Sequence, residues 1–181
     1  MVGSGGAHGY LSTISARFFE TSASVVAEIR QLHRSRTFML EQIAVGLGIF
    51  VLTTGVHAGF MVLGESFLNR RITRFGHPRH YLSKALLVSL LAAWMFLAVV
   101  TEGIMWAQVY LWNPHIESLP DAETAFYFSM VTYTSVGYGD IVLKGSWRML
   151  ASIQGANGVI IFGWTTALIF TYIQRVYGKS N

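Results

Sequence analysis

The sequence predicts an all-α membrane protein, and three observations carry that expectation. Hydrophobic residues make up 52% of the 181 positions and charged residues only 12%, the reverse of a soluble balance. Three stretches are long and apolar enough for a hydrocarbon core of about 30 Å. Between the last two lies a shorter apolar run that cannot cross, so it must enter and leave on one side, surrounded by protein.

Residues 1–10 are rich in glycine but have neither a basic region nor an adjoining apolar one, which argues against a cleaved signal peptide. From 12 to 32, Ile14, Phe18, Val25, Ile29 and Leu32 recur at helical spacing, with Arg17, Glu20, Glu28 and Arg30 between them. That is an amphipathic helix, and tail and helix together occupy 1–37. The next segment, 38–64, holds the first crossing at 43–63, which carries no formally charged residue. Its Gly46, Gly48, Gly55 and Gly59 suit close helix approach. His57 is the exception: a polar ring at membrane depth needs a partner or a wet surface, and its expected role is structural.

Segment 65–81 sets Arg70, Arg71, Arg74 and Arg79 against a single acid, Glu65, and reads as a basic cytosolic loop interrupted by Gly76 and Pro78. Arg70, Arg71 and Arg74 are also candidates to meet anionic lipid headgroups. Residues 82–109 form a second crossing, with Trp106, Tyr110 and Trp112 expected as an interfacial aromatic belt. Glu102 would be costly against lipid and is expected to face protein, water or an interfacial partner. Asn113 and Pro114 end this helix. Pro120 and Asp121 then start a short one, where Asp121 and Glu123 complement the helix dipole. The third crossing is 149–172, followed by a short tail at 174–181.

Several functions are excluded on residue grounds. Cysteine is absent, which removes disulfides, thiol catalysis and cysteine-held metals. No HExxH motif, phosphate loop or pair of carboxylates in an apolar pocket suggests an enzyme. The net charge of +4, from thirteen basic and nine acidic residues, fits inside-facing loops better than a nucleic-acid partner.

At Thr132-Tyr133-Thr134-Ser135-Val136-Gly137-Tyr138-Gly139-Asp140 the chain resembles the signature of the potassium-channel pore family. The resemblance covers about half the chain, from 82 to 172. It implies an outer helix, a re-entrant pore helix, a selectivity filter and an inner helix within a pore domain at 82–173. It also implies a homotetramer in the cell membrane, with no cofactor beyond the permeating potassium ion. That ion would be bound by Ser135, Val136, Gly137 and Tyr138, because a dehydrated ion needs several oxygen ligands and backbone carbonyls supply them. Gly137 and Gly139 permit the unusual backbone this requires. Ser135 would add its hydroxyl at the inner end, while Val136 and Tyr138 point away and brace the strand.

Filter support is expected from Thr132, Thr134, Asp140, Tyr127 and Trp147. The chain departs from the commonest family pattern in three ways. Ser135 replaces a usual threonine, Tyr127 and Phe128 stand where many members carry tryptophans, and Val131 stands where some carry a glutamate paired with the filter aspartate. Asp140 therefore needs another donor, Tyr127 or the Trp147 indole. On the inner helix, Asn157, Gly158, Phe162, Gly163 and Thr166 match cavity and gating positions, with Gly158 at the hinge and Gly163 at a packing site.

The resemblance puts the filter outside, with Glu117, Asp121, Glu123 and Asp140 on the outer face, the basic segment and C-terminus inside, and the N-terminus outside. Two other functions stay open: a poorly selective cation channel, and a nonconducting structural or regulatory membrane subunit.

Overall fold

The computed structural model describes the backbone of residues 5–76, 80–144 and 147–178, and side chains from position 24 onward except 25, 26 and 75 within those ranges. All regular structure among them is helical: α1 (Gly5–Phe75), α2 (Tyr81–Leu111), α3 (Ala122–Tyr133) and α4 (Arg148–Tyr177). The chain divides into two units, Met1–Glu41 and Gln42–Asn181. In the first unit Ile29 and Leu32 of the expected apolar stripe are exposed. Ile14, Phe18 and Val25 lie outside the described side chains.

Three described helical stretches, Ala27–Arg74, Tyr81–Leu111 and Arg148–Tyr177, are long and apolar enough to cross a membrane. The expected first crossing falls inside the first of them. The basic segment after it is not the loop expected from 65 onward: α1 stays helical to Phe75. The physical reason is amphipathicity. Leu68 and Ile72 sit one turn apart and join a core with Leu87, Leu91, Met95 and Tyr172, while Arg70, Arg71 and Arg74 are exposed on the other faces. A charge run read as a loop is thus the solvated side of a helix. The helix stops at Gly76, whose φ of +76° and N–H bond to the Ile72 carbonyl at 2.8 Å form a glycine C-terminal cap. Pro78 and Arg79 lie outside the described residues.

Within the second unit, contacts between α1 and α4 advance together. Thr53 meets Asn157, His57 meets Thr165, and Glu65 meets Arg175. These helices therefore run parallel. Contacts with α2 run the other way, His57 meeting Glu102 and Phe60 meeting Trp94. The Trp94 indole N–H donates to the Phe60 carbonyl at 2.9 Å, and the rings stack tilted at 5.0 Å. Close approach uses Gly46, where a Cβ would fall 2.6 Å from the Ile153 side chain. Gly48, Gly55 and Gly59 have open space beside them, so the expected close approach applies to one of the four.

The short helix α3 packs between α2 and α4. Asp121 caps its start by accepting the Thr124 N–H at 2.8 Å, an arrangement worth about 1 kcal/mol; that bond also holds the Asp121 carboxyl below its ordinary pKa. At twelve residues, α3 is about 18 Å long at 1.5 Å per residue, too short to cross. Its core partners correct one expectation. Trp106 and Tyr110 are 0% and 1% exposed, so they are not belt residues. They fill the space behind α3, where Tyr110 meets Phe128 edge-on at 5.3 Å and its hydroxyl donates to Gln154 Oε1 at 2.6 Å. Trp112 alone of the three is exposed.

Candidate functional site

The site begins where α3 ends. Thr134 caps the helix, the Ser135 N–H donates to the Thr132 carbonyl at 3.0 Å, and the Val136 N–H reaches back to the Val131 carbonyl at 3.0 Å. These two bonds make a Schellman cap, which places one residue in left-handed conformation. Glycine usually takes that place, but here Ser135 does, at φ +59°. A left-handed non-glycine residue costs on the order of 1–3 kcal/mol. The absence of a β-branch limits that cost at Ser135.

Positive φ then recurs at alternate residues, +55° at Gly137 and +79° at Gly139. Val136 and Tyr138 between them are not in that region. Where the residues between are right-handed, such an alternation turns successive peptide planes the same way, collecting N–H groups on one side and carbonyls on the other. An extended strand instead alternates them. The Gly137 N–H also bonds to the Val131 carbonyl, at 3.2 Å, so the end of α3 supports the first three residues of the segment.

Residues 135–140 are all exposed on this chain. Val136 and Tyr138, expected to brace the strand, are 53% and 73% exposed, so the described residues leave more than half of each uncovered. Behind the strand an open cleft of about 550 Å³ is lined by Phe128, Thr132, Gly137, Asp140, Leu143 and Ser152 among others.

At the far end of the strand, the Tyr127 hydroxyl donates to Asp140 Oδ2 at 2.7 Å. This bond holds the Asp140 carboxyl below its ordinary pKa. Of the two expected donors, Tyr127 is the one engaged. Trp147 is 7% exposed and belongs to the apolar core with Leu143 and Leu150. Thr132 contributes its backbone carbonyl, and the Thr134 hydroxyl folds back onto the Met130 carbonyl at 2.7 Å.

On α4 the expected cavity and gating residues separate. Gly158 is buried against α3: a Cβ there would lie 1.8 Å from the Tyr133 carbonyl oxygen. Gly163 is exposed with open space beside it. Thr166 is exposed and donates to the Phe162 carbonyl, while Phe162 packs partly buried on the core. Asn157 does not line a cavity. It is fully buried, and its Nδ2 donates to Thr53 Oγ1 at 2.7 Å, because an amide at this depth finds its acceptor on α1.

The structure also joins residues that no motif flags as a group. Glu102 receives the Tyr133 hydroxyl on Oε2 at 2.8 Å and meets His57 Nδ1 with Oε1 at 2.9 Å. Thr165 Oγ1 lies 3.2 Å from His57 Nε2. Separately, the Ser129 hydroxyl donates to the Gly103 carbonyl at 2.7 Å, and Gln154 Nε2 donates to Ser129 Oγ at 2.8 Å. The short helix is thereby tied to α2 and α4 through buried hydrogen bonds. The one sequence signal was that His57 and Glu102 each needed a partner.

Comparison with known proteins agrees with this geometry. A family described as ion channel matches residues 86–175. The voltage-gated potassium channel Kch of Escherichia coli (strain K12) is 42% identical over 64 residues, covering 35% of this chain and 15% of that relative. The chain thus spans well under two thirds of that relative's length. No solved structure matches the chain significantly.

Proposed function

We propose, since residues 86–175 match a family described as ion channel and part of the chain is similar to a potassium channel, that it is one subunit of a fourfold, potassium-selective channel. The observation that carries the reading is the positive φ at 135, 137 and 139 directly after a capped short helix. That backbone turns carbonyls to one side, where they replace the hydration shell of an ion. Each chain contributes one such strand, so a closed ring needs several copies around an axis. The uncovered Val136 and Tyr138 and the open cleft behind residues 137–140 supply surface for neighbouring copies. The C-terminal end of α3 adds its negative dipole end at the strand's base, which favours a cation there.

The test is a reversal potential across bilayers containing the purified protein, with potassium on one side and sodium on the other. The expected value lies far from zero, toward the potassium equilibrium potential. A value near zero with verified current identifies a poorly selective cation channel, and no current from intact tetramers identifies a nonconducting subunit.

The proposal includes an orientation in the cell membrane. Asp140 follows the strand, Glu117 precedes α3, and Asp121 and Glu123 stand at the start of α3, whereas Arg70, Arg71, Arg74 and Arg175 lie toward the C-terminal ends of α1 and α4. The basic end faces the cytosol. The chain has no cysteine, so Glu117→Cys and Arg74→Cys can be labelled singly with an impermeant thiol reagent in intact cells. Labelling is expected at 117 alone; labelling at 74 reverses the orientation.

A further inference from the structure

We infer that His57 is a positioning residue for the strand 135–139, acting through Glu102 on Tyr133 at its base. The inference rests on reading that strand as the ion path, and His57 lies on α1, outside the segment 86–175 that matches the ion-channel family.

His57 and Glu102 are both 0% exposed, as is Tyr133. Their bonds form one line from α1 to α3: His57 Nδ1 to Glu102 Oε1 at 2.9 Å, and Tyr133 Oη to Glu102 Oε2 at 2.8 Å. Among the described residues each carboxyl oxygen has one partner, and the second ring nitrogen of His57 is held by Thr165 of α4 at 3.2 Å. A carboxylate at this depth is tolerable only while its donors are in place. Tyr133 closes α3, and its carbonyl oxygen is the atom that Gly158 approaches. Two residues later the chain enters the left-handed Ser135, whose strain persists only if the residues before it are fixed.

Taking away the imidazole leaves Glu102 with Tyr133 as its sole partner in this line. With nothing on Oε1 the carboxyl can shift toward Tyr133, and the bond fixing the end of α3 then changes. The Thr53–Asn157 bond and the Phe60–Trp94 pair also dock α1, but neither touches Tyr133. Ordinary docking and filter positioning can therefore be separated by experiment.

The experiment measures amide hydrogen exchange of residues 133–137 in the purified full chain, together with the potassium-to-sodium permeability ratio in bilayers. His57→Leu is expected to speed exchange at the Ser135, Val136 and Gly137 amides at least tenfold and to lower the permeability ratio several-fold. His57→Asn, whose amide N–H can replace the Nδ1 donor, is expected to restore both. Trp94→Phe, which removes an α1–α2 bond elsewhere, is expected to change neither. Wild-type exchange in His57→Leu overturns the inference, as does an equal rise in Trp94→Phe. Should His57→Leu not fold, Tyr133→Phe removes only the hydroxyl and must show the same faster exchange; wild-type exchange there is equally fatal. If the wild-type protein passes no selective current, the channel reading fails, while the exchange measurement still decides whether His57 positions the strand.

Discussion

Gly158→Ala is expected to abolish current, and with it much of the tetramer, where a hinge glycine would merely alter opening. The added Cβ would lie 1.8 Å from the Tyr133 carbonyl oxygen, 2.8 Å from its carbon and 3.3 Å from its Cα. These are backbone atoms at the end of a capped helix, and Tyr133 is further held by Glu102. Neither side can yield cheaply. Overpacking of this kind costs about 1–3 kcal/mol or more, against about 1 kcal/mol gained in helix propensity. The steric term wins, and in the proposed tetramer every subunit repeats it. Gly163→Ala meets open space in this chain and is expected to leave the subunit's fold unchanged. Size-exclusion chromatography followed by single-channel recording separates the cases. Wild-type opening and conductance in Gly158→Ala would show that α3 and α4 can part, and would return the glycine to a hinge role.

Gly137→Ala is expected to destroy selectivity by a different route. A Cβ there meets nothing within 4 Å, so space is not the obstacle. The obstacle is φ of +55°, which costs an alanine about 1–2 kcal/mol. Four subunits would bring the cost to about 4–8 kcal/mol around one ring, enough to favour a strand with some peptide planes reversed. Ser135 shows that one such residue can be held, but it is held by the two bonds of the Schellman cap. Gly137 has a single longer bond to Val131. A reversal potential near zero, or loss of current with assembly intact, is the expected outcome. Unchanged selectivity would mean that the left-handed conformation at 137 is not used in conduction.

Much of the fold was legible because it follows from composition and spacing. Apolar length marks the crossings, Asp121 marks the start of α3, and two of the three positive φ values within the strand 135–139 fall at glycines. What escaped depends on three-dimensional proximity. The arginines at 70, 71 and 74 looked like a loop because the burial of Leu68 and Ile72 is set by α2 and α4, distant in sequence. Trp106 looked interfacial because its depth in a helix says nothing about which face α3 covers. Asn157 was assigned to a cavity by register, but Thr53 turns it the other way. His57 and Glu102 were each visible as a polar group needing company, yet they stand 45 residues apart and nothing local pairs them. Ser135 was named for the filter, but its left-handed backbone was not foreseen, because serine carries no mark of one.

The carboxyl of Glu102 also sets a limit on portability. Its donors are Tyr133, inside the family-matched segment, and His57, outside it. A fragment cut at the boundary of sequence similarity would carry a buried acid stripped of half its line of partners. For grafting or for building chimeras, the smallest self-sufficient piece of this protein therefore includes the stretch of α1 that reaches His57, and the border of the pore as a chemical unit lies well before the border of the pore as a recognisable sequence.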